Sequence, residues 1–480
     1  MTPASAADPK RWWALAVIAL AQLMVILDGT IVNIALPSAQ RALGMPDADR
    51  QWVITAYTLA FGGLLLLGGR IADLVGRKRA FVIGLAGFAV ASALGGAAAG
   101  PGTLFAARAL QGAFAAVLAP SALSLLTTTF TDPRERAKAF GVYGALAGGG
   151  SGAGLLVGGL LTEYLNWRWC LYVNVPVALA ALIGAQVFLR DRSGRRGGHL
   201  DVPGVLLGSG GLVALVYGFS EAGPRGWTSP WVAAPLMAGV ILLAAFVWWQ
   251  HRAAGPLLPL RIFRDRSRAG AFATMGLATI GMFGVFLFLT YYFQAVLGYP
   301  PVRTGLAFMP VSVGIVIGAT QIAARLLPRT APHTLMASGM VLAAAGMVLL
   351  SRLTVHAQYV PHVLPGLLLV GLGMGLTFMP VYATATVGVP TQDTGAASAA
   401  LTTVQQIGAS LGTALLNTIA TGATGRHRRA DSGTALAEAM VHGFSVAYWC
   451  SAGVLLLAAL VAALTVRRGK PSQAGSKPSA

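Results

Sequence analysis

The sequence predicts an all-α protein that crosses a membrane many times. Of its 480 residues, 56% are hydrophobic and only 10% are charged, whereas a soluble globular domain carries about 25% charged residues. The mean hydropathy is +0.70. Long apolar runs favour helices, because a helix satisfies its own backbone hydrogen bonds inside lipid. These features exclude an ordinary cytosolic enzyme and a disordered chain.

Fourteen apolar runs are long enough to cross the bilayer, since about 20 helical residues span roughly 30 Å of hydrocarbon. The first seven are 12–36, 52–69, 80–98, 103–129, 137–162, 168–189 and 202–221. The second seven are 231–250, 269–297, 304–327, 333–351, 361–386, 395–421 and 440–466. The first run follows two basic residues as in a signal peptide, but it is too long for one, so we expect it to be retained.

The distribution of basic residues predicts the orientation. With the N-terminus in the cytoplasm, and with basic residues at the ends of runs counted in the adjoining segments, 24 of the 34 Lys and Arg residues fall in inside segments and 9 in outside segments, while Arg108 alone lies well within a run. Basic residues accumulate on the cytoplasmic side of membrane proteins, so both termini are predicted to be cytoplasmic. Most of the net charge of +19 then faces anionic lipid, and we expect no nucleic-acid partner.

Two stretches of the chain resemble each other. Residues 120–161 and 380–419 each contain a Pro within a run, a turn with a second Pro, and a helix with spaced glycines; at an offset of 258 residues, Gly150 aligns with Gly408. The repeat predicts two six-helix bundles around an inserted hairpin, an arrangement that transporters use for alternating access. The predicted units are an N-terminal bundle at 1–190, a linker hairpin at 191–265, a C-terminal bundle at 266–466 and a basic cytoplasmic tail at 467–480.

Asp28 is the one acidic residue well inside an apolar run. It precedes Pro37 by nine residues, about 13 Å along a helix, and Arg108 lies about five residues into its own run, so both are predicted in the outer half of the bilayer. The two side chains can pair or compete for one proton. Burial disfavours a charged carboxylate and a nearby guanidinium favours it, so a moving Arg108 would switch Asp28 between loaded and empty states. The alternative is a purely structural carboxylate; ionisable groups inside membranes mostly mark transport pathways, which favours the first interpretation.

The turn after the second run combines glycines, one acid and a basic triplet. Gly69 and Gly76 permit a tight turn, and Asp73 can accept hydrogen bonds from backbone amides or guanidinium groups. Arg77 and Lys78 belong to the triplet that places the turn inside. An ordinary basic loop explains the triplet but not the acid four residues before it, so we predict a specific conformational loop.

Glycines recur at a spacing of four in the fifth run. Such rows let neighbouring helices approach almost backbone to backbone. Close packing is the simple interpretation, and the same faces also allow helices to slide or bend between states. One row holds Gly144, Gly148 and Gly152, a second holds Gly150, Gly154 and Gly158, and Gly159 follows.

Polar and soft apolar side chains within the runs are candidates for substrate binding. Methionine adapts its shape, and mixed methionine and aromatic walls suit varied lipophilic ligands, although any one of these apolar residues more often serves packing or faces lipid. The polar candidates are Gln22, Thr30, Asn33, Gln111, Tyr291, Tyr292, Gln294, Gln405, Gln406 and Asn417, and the apolar ones are Met282, Phe283, Phe286, Met309, Phe378 and Met379.

The sequence contains no Walker-type phosphate loop, no HExxH motif and no cluster of histidines. Cys170 and Cys450 lie in apolar runs, so neither a disulfide framework nor a CxxC metal site is available. We therefore expect no enzymatic activity, no cofactor and no metal, and an ion gradient rather than ATP as the energy source.

Several of these segments resemble the major facilitator superfamily, specifically its fourteen-helix drug:proton antiporter branch, over nearly the whole chain. The segments are LDGTIVNIALP at 27–37, GRIADLVGRKR at 69–79, RALQG at 108–112, the glycine-rich fifth run and WRWCLYVNVP at 167–176. The resemblance implies two six-helix bundles around a central cavity, export of lipophilic drugs or antibiotics, and proton import. It also implies that Asp28 is the acid of the first-helix motif, that Asp73 is the latch of the loop, and that Arg108 takes part in proton coupling. Ala324 stands where the second half would carry a matching acid, so one latch of this type is expected.

We therefore expect a monomeric, multi-pass protein of a bacterial inner membrane, in contact with lipid, that exports a small lipophilic substrate in exchange for protons. One alternative is a narrow exporter of a single endogenous metabolite or self-made antibiotic. Another, outside transport, is a receptor or scaffold, for which substitutions of Asp28 and Asp73 would be harmless. The internal repeat favours transport.

Overall fold

A computed structural model describes residues 11–466, except 48, 131, 190–200, 254–255, 259, 328, 387–388, 390–393 and 431–434. Within this part the chain consists of helices joined by short connections. The predicted tail at 467–480 and the start of the linker lie outside the described residues.

The first half forms one group of helices. Its helices are α1 (Arg11–Leu43), α2 (Trp52–Val75), α3 (Arg77–Gly96), α4 (Pro101–Thr129), α5 (Pro133–Tyr164), α6 (Trp169–Tyr172) and α7 (Asn174–Phe188). Pro101 begins α4, a position where its missing amide hydrogen costs nothing. α1 packs against α5 and α7, and α4 packs against α2 and α3.

The hairpin and the second half follow. The hairpin consists of α8 (Val202–Arg225) and α9 (Pro230–Arg252). The second half contains α10 (Arg266–Tyr291), α11 (Pro301–Ala307), α12 (Met309–Ile317), α13 (Ala324–Leu326), α14 (Pro332–Leu350), α15 (Leu364–Thr386), α16 (Thr394–Ala430) and α17 (Leu436–Thr465). The second half also contains three wider, π-helical segments. Tyr292–Val296 extends α10, Gly318–Ala323 joins α12 to α13, and Tyr359–Val363 precedes α15. α10 packs against α16 and α17, and α14 packs against α15 and α17.

The helices agree with the sequence prediction of an all-α membrane protein. Each predicted run coincides with one helix or with consecutive helices in the described part of the chain. Of these, 11 helical stretches are long and apolar enough to cross a membrane. α2 contributes a shorter apolar stretch, and α5 and α16 are outside that set, so the count of fourteen spans stays a prediction.

Glycines set the distance between α5 and α1, and between α16 and α10. A Cβ atom on Gly158 would lie 2.6 Å from the carbonyl oxygen of Ile31, and one on Gly412 would lie 2.5 Å from that of Ile280. Real Cβ atoms do not approach so closely, so the backbones meet only because these residues are glycine. The glycine-spaced helix of each half therefore packs in the same way on the first helix of its own half.

The hairpin is attached to both halves. α8 packs against α2 of the first half and α16 of the second. The Ser209 hydroxyl donates to the Gly63 carbonyl oxygen at 2.9 Å, and the Thr418 hydroxyl donates to the Phe219 carbonyl oxygen at 2.9 Å. α9 lies beyond α8 and exposes large apolar side chains such as Trp231, as a helix facing lipid does.

Asp201 joins the start of α8 to the end of α9. Its carboxylate accepts hydrogen bonds from the Gly204 amide at 3.0 Å, from Trp249 Nε1 at 2.6 Å and from Gln250 Nε2 at 2.6 Å. Burial opposes ionisation, but these donors outweigh it and hold the pKa of Asp201 below its ordinary value. Gln250 Oε1 also accepts from the Leu258 amide at 3.0 Å, which positions the chain leading to α10.

Candidate functional site

A buried ion pair lies inside the first half. Asp28 of α1 and Arg108 of α4 are 0% and 1% exposed, and Arg108 Nη1 donates to Asp28 Oδ2 at 2.6 Å. The two residues predicted to share one depth therefore meet. Buried charges are tolerated when they are paired and fully hydrogen-bonded, so the remaining contacts of the pair determine what it can do.

Amide side chains complete the surroundings of Asp28. Asp28 Oδ1 accepts from Gln111 Nε2 at 3.0 Å and from Asn174 Nδ2 at 2.7 Å. Gln111 accepts from Arg108 Nη1 at 2.9 Å and donates to Ser92 Oγ at 2.7 Å. Each donor offers a hydrogen to a carboxylate oxygen, so the site as it stands suits an ionised Asp28.

α2 supports Arg108 from its other side. Arg108 Nε donates to the Val53 carbonyl oxygen at 3.0 Å, and its Cζ lies 4.3 Å from the centroid of the Tyr57 ring, a cation–π contact. α2 comes this close because Gly112, one turn after Arg108, has no side chain: a Cβ there would clash with the Tyr57 carbonyl oxygen. The spacing within RALQG therefore places the charge and the close helix contact on one face of α4.

Three members of this network carry little signal in the sequence. Asn174 is an amide within an apolar run and belongs to the segment WRWCLYVNVP, which resembles the family but gives the amide no role of its own. Ser92 and Tyr57 are small polar and aromatic residues of the kind that pack in any membrane helix. Their role follows from tertiary contacts that no local pattern reports.

The two halves meet, at the ends of the helices that the sequence predicts to face outside, through what we call the outer clasp: Arg50, Gln40, Tyr291 and Asn417. Arg50 lies between α1 and α2 and is 3% exposed. Its Nε donates to Asn417 Oδ1 at 3.2 Å, and its Cζ lies 4.0 Å from the centroid of the Tyr291 ring. The Tyr291 hydroxyl donates to Gln40 Oε1. A cation of the first half is therefore held by aromatic and amide groups of the second.

Further contacts join the halves. Hydrogen bonds connect the Thr58 and Ser410 hydroxyls at 2.8 Å, Gln294 Nε2 and the Ile34 carbonyl oxygen at 2.9 Å, and the Val302 amide and Glu163 Oε2 at 2.8 Å. A Cβ on Gly159 would lie 2.7 Å from the Pro301 carbonyl oxygen, and one on Gly152 would lie 2.9 Å from Ser312 Cβ. α5 thus uses one glycine row against α1 and other glycines against α11 and α12.

The predicted substrate residues are distributed over several places. Gln111 belongs to the ion-pair network, and Tyr291, Gln294 and Asn417 join the two halves. Among the remaining polar candidates, Tyr292 donates to the Thr354 carbonyl oxygen, and Thr30 and Asn33 donate to carbonyl oxygens of α1. Gln405 accepts a hydrogen bond from Tyr382. Gln22 and Gln406 are half-buried. Met282 and Phe286 are buried in the apolar core, and Phe283 and Phe378 pack against it. A role of these residues in binding substrate stays a prediction.

The turn between α2 and α3 contains Gly76 with φ of +102°, a conformation that favours glycine. Lys78 Nζ donates to the Gln186 carbonyl oxygen at 3.3 Å, which ties the turn to α7. Arg77 is half-buried, and its Nε has no hydrogen-bond partner among the described residues.

The structure describes fewer contacts for the other predicted members of the loop and of the glycine rows. The prediction that Gly69 belongs to the turn is wrong, because α2 continues through it to Val75; a Cβ built on Gly69 would lie 3.8 Å from Pro120 Cβ. The side chain of Asp73 and the surroundings of Gly144 and Gly148 lie outside what the structure describes. The latch role of Asp73 therefore stays a prediction. Among the described residues, no group of three or more His, Cys, Asp or Glu side chains is arranged to hold a metal ion.

Comparison with known proteins identifies relatives over most of the chain. A family model described as Major Facilitator Superfamily matches residues 18–413. The chain is 58% identical over 460 residues to the puromycin resistance protein pur8 of Streptomyces alboniger, covering 95% of this chain and 91% of that protein. It is 39% identical to the cephamycin export protein CmcT of Amycolatopsis lactamdurans, covering 85% and 84%. It is 35% identical to the tetracenomycin C resistance and export protein of Streptomyces glaucescens, covering 87% and 77%.

Solved structures share the fold. A bacterial homologue of the human lysosomal transporter Spinster, in an inward-facing and unoccupied conformation, superimposes with a TM-score of 0.69 at 17% identity, covering 97% of this chain and all of that one. The POT family transporter PepTSo gives a TM-score of 0.70 at 16% identity, covering 95% and 97%. At these identities the likeness concerns the arrangement of helices alone.

Proposed function

This chain belongs to the major facilitator superfamily, and on that basis we propose that it exports small lipophilic antibiotics across a bacterial inner membrane in exchange for protons. The substrate class is supported by relatives named for resistance to, or export of, puromycin, cephamycin and tetracenomycin C. Puromycin is the first substrate to test, because the protein named for it is 58% identical to this chain.

The observation that carries proton exchange is the buried contact of Arg108 Nη1 with Asp28 Oδ2 at 2.6 Å. A proton that binds Asp28 removes the charge that holds Arg108, and Arg108 keeps its contacts with the Val53 carbonyl oxygen and Gln111. Protonation therefore loosens α1 from α4 without leaving the guanidinium unpaired. A single acid at this site supports a ratio of about one proton per cycle.

Alternating access requires the outer contacts to open. The outer clasp and the Thr58–Ser410 hydrogen bond hold the halves together at the outer ends of α1, α2, α10 and α16. In this state the substrate is taken up from the cytoplasm or the inner leaflet. Binding of substrate and exchange of the proton then part the clasp, and the glycine faces of α5 accommodate the movement.

The test is proton movement in proteoliposomes with an imposed pH gradient, on addition of puromycin and of a panel of lipophilic dyes and antibiotics. Wild type is compared with Asp28→Asn and with Glu221→Gln, a matched loss of one carboxylate at an exposed pair with Arg225 in the hairpin. We expect puromycin-dependent proton movement in wild type and Glu221→Gln, and none in Asp28→Asn. Coupled flux that persists unchanged in Asp28→Asn would contradict the assignment of Asp28.

The same panel separates the alternatives. The three relatives described above are each named for one antibiotic, whereas a relative from Mycobacterium tuberculosis that is 32% identical is named multidrug resistance protein Stp, so the names support both alternatives. A narrow exporter moves protons with puromycin or one other compound, whereas a multidrug exporter responds to many. A folded protein that is silent with every compound, and that tolerates Asp28→Asn in cells, would favour a receptor or scaffold.

A further inference from the structure

Three side chains donate to Asp28, and they differ in how they respond to a proton. Arg108 carries donors only, so it can pair with the carboxylate but not with the hydrogen of a protonated carboxyl. Gln111 is held in one orientation, because its oxygen accepts from Arg108 and its nitrogen also donates to Ser92. Neither Arg108 nor Gln111 can therefore present an acceptor to Asp28 without breaking other contacts.

Asn174 occupies a different position. It is the first residue of α7, directly after Val173, which separates α7 from α6. It is 2% exposed, and its Nδ2 donates to Asp28 Oδ1 at 2.7 Å, closer than the Gln111 nitrogen at 3.0 Å. A carboxamide carries a donor and an acceptor at equivalent positions, so a half-turn about its last bond exchanges them.

We propose that Asn174 is a positioning residue for proton exchange at Asp28. With Asp28 ionised, Asn174 donates from Nδ2 to Oδ1, as in this structure. With Asp28 protonated, the amide turns over and Asn174 Oδ1 accepts the carboxyl hydrogen. Asn174 therefore holds Asp28 in both states, while Arg108 holds it in one. The inference rests on the proposed proton coupling and adds to it a residue from a third helix.

Titratable and charged groups from three other helices lie near Asp28. Arg108 of α4 is in direct contact, the Tyr57 ring of α2 lies against the guanidinium, and Cys170 of α6 lies within electrostatic reach of Asp28. The Cys170 thiol is within hydrogen-bond distance of the Thr162 hydroxyl at 3.3 Å. Replacing Asn174 removes a neutral donor and leaves every one of these groups in place.

The replacement therefore has a defined effect. Asn174→Leu keeps the branching at Cγ and removes both the donor and the acceptor, so each form of Asp28 loses one hydrogen bond. The bond to the carboxylate is charge-assisted and about twice as strong as the neutral bond to the carboxyl, so the carboxylate form loses more. The pH at which puromycin-dependent proton flux is half-maximal should therefore rise, by up to about one unit. Asn174→Gln, which retains both donor and acceptor, should restore the profile in part.

The experiment records flux against pH in proteoliposomes for wild type, Asn174→Leu, Asn174→Gln and Ser121→Ala. Ser121 is the matched control, because it is a buried polar residue of α4 whose hydroxyl donates to the Val117 carbonyl oxygen of its own helix at 2.7 Å. A purely structural role of Asn174 would lower the rate at all pH values in Asn174→Leu without moving the midpoint, and that result would overturn the inference.

A second measurement does not depend on transport. The carbonyl stretching band of protonated Asp28, identified as the infrared band missing in Asp28→Asn, is titrated in wild type and Asn174→Leu. We expect the band to shift in frequency and to titrate at higher pH in the variant; an unchanged titration would overturn the inference. If wild type shows no substrate-coupled proton flux, the proposed function fails. If wild type shows coupled flux but Asn174→Leu has the same pH midpoint, only the inference about Asn174 is contradicted.

Discussion

Arg50 of the first half lies against Tyr291 of the second, with its Cζ 4.0 Å from the ring centroid. The contact is buried, with Arg50 3% exposed and Tyr291 4% exposed. A guanidinium that leaves an aromatic ring can donate its N–H groups to water, so water would replace part of the lost attraction if the halves separated. A polar clasp of this kind costs less to open than an apolar seal of the same area.

The outer clasp should control access from outside. In a protein whose two cysteines are replaced, Ser410→Cys is labelled with a membrane-impermeant maleimide, with and without Arg50→Ala. We expect labelling to accelerate several-fold with Arg50→Ala, because a cation–π contact is worth about 0.5–2 kcal/mol. Tyr291→Phe keeps the ring and loses only the hydroxyl contact with Gln40, so its effect should be smaller. Equal labelling in all three proteins would show that the clasp does not hold the outer end closed.

The glycines of α5 should not tolerate side chains where they meet α1. A Cβ on Gly154 would clash with Thr30 Oγ1, whereas one on Gly453 of α17 meets nothing within 4 Å. We expect Gly154→Val to lower stability by about 1–3 kcal/mol, the usual cost of overpacking, and to abolish transport. Gly453→Val is the control and should behave like wild type. Thermal unfolding in detergent measures the difference, and equal midpoints for the two variants would contradict the packing of α5 on α1.

Asp201 should make the hairpin sensitive to acid. Its pKa is lower in the folded protein than in the unfolded chain, where it is about 3.9. The ionised form is therefore favoured by folding, and its contribution to stability is present above that value and lost as the pH falls through the lowered pKa. We expect the thermal unfolding midpoint of Asp201→Asn to be lower than that of wild type at neutral pH. The difference between the two midpoints should become smaller below about pH 4.

The control for Asp201 is Glu221→Gln at the other end of α8. Its partner Arg225 is exposed, and an exposed pair contributes about 0–1 kcal/mol. If the difference in unfolding midpoint between wild type and Asp201→Asn stays constant down to acid pH, the charge of Asp201 is not the source of the stabilisation.

Gly69 of α2 and Gly76 of the following turn should respond differently to alanine. Gly76 has φ of +102°, where an L side chain is strained, so Gly76→Ala should cost about 1–2 kcal/mol. Gly69 is helical, and a Cβ there makes only an ordinary contact with Pro120 at 3.8 Å. Gly69→Ala should therefore be neutral or slightly stabilising. Thermal unfolding of the two variants tests the contrast, and a loss as large in Gly69→Ala would point to a cause other than backbone conformation.

The sequence predicts the helices well, because the length and the apolar composition of each run are enough to identify it. It also predicts the meeting of Asp28 and Arg108, since the cost of burying either charge alone requires a partner at the same depth. It does not separate substrate residues from residues that join the two halves. Tyr291 and Asn417 contact the other half in this structure, and both kinds of site place polar groups on the same helix faces.

Long-range partners are the part that sequence reasoning cannot supply. Asn174 reaches Asp28 from 146 positions away, and Arg50 reaches Asn417 across 367. A single amide in an apolar run, or one arginine in an outer loop, is compatible with many roles. Only the packing of α7 on α1, and of α2 on α16, selects one of them.

The Ser209 hydroxyl of α8 donates to α2, and the Thr418 hydroxyl of α16 donates to α8, so one helix is bonded to both halves. Such a helix limits how far the two halves can part on its own flank. On the flank where α5 meets α11, the two halves contact each other directly. We therefore expect the halves to part further on that flank than on the flank of α8, and a substrate that enters from the lipid to enter between α5 and α11.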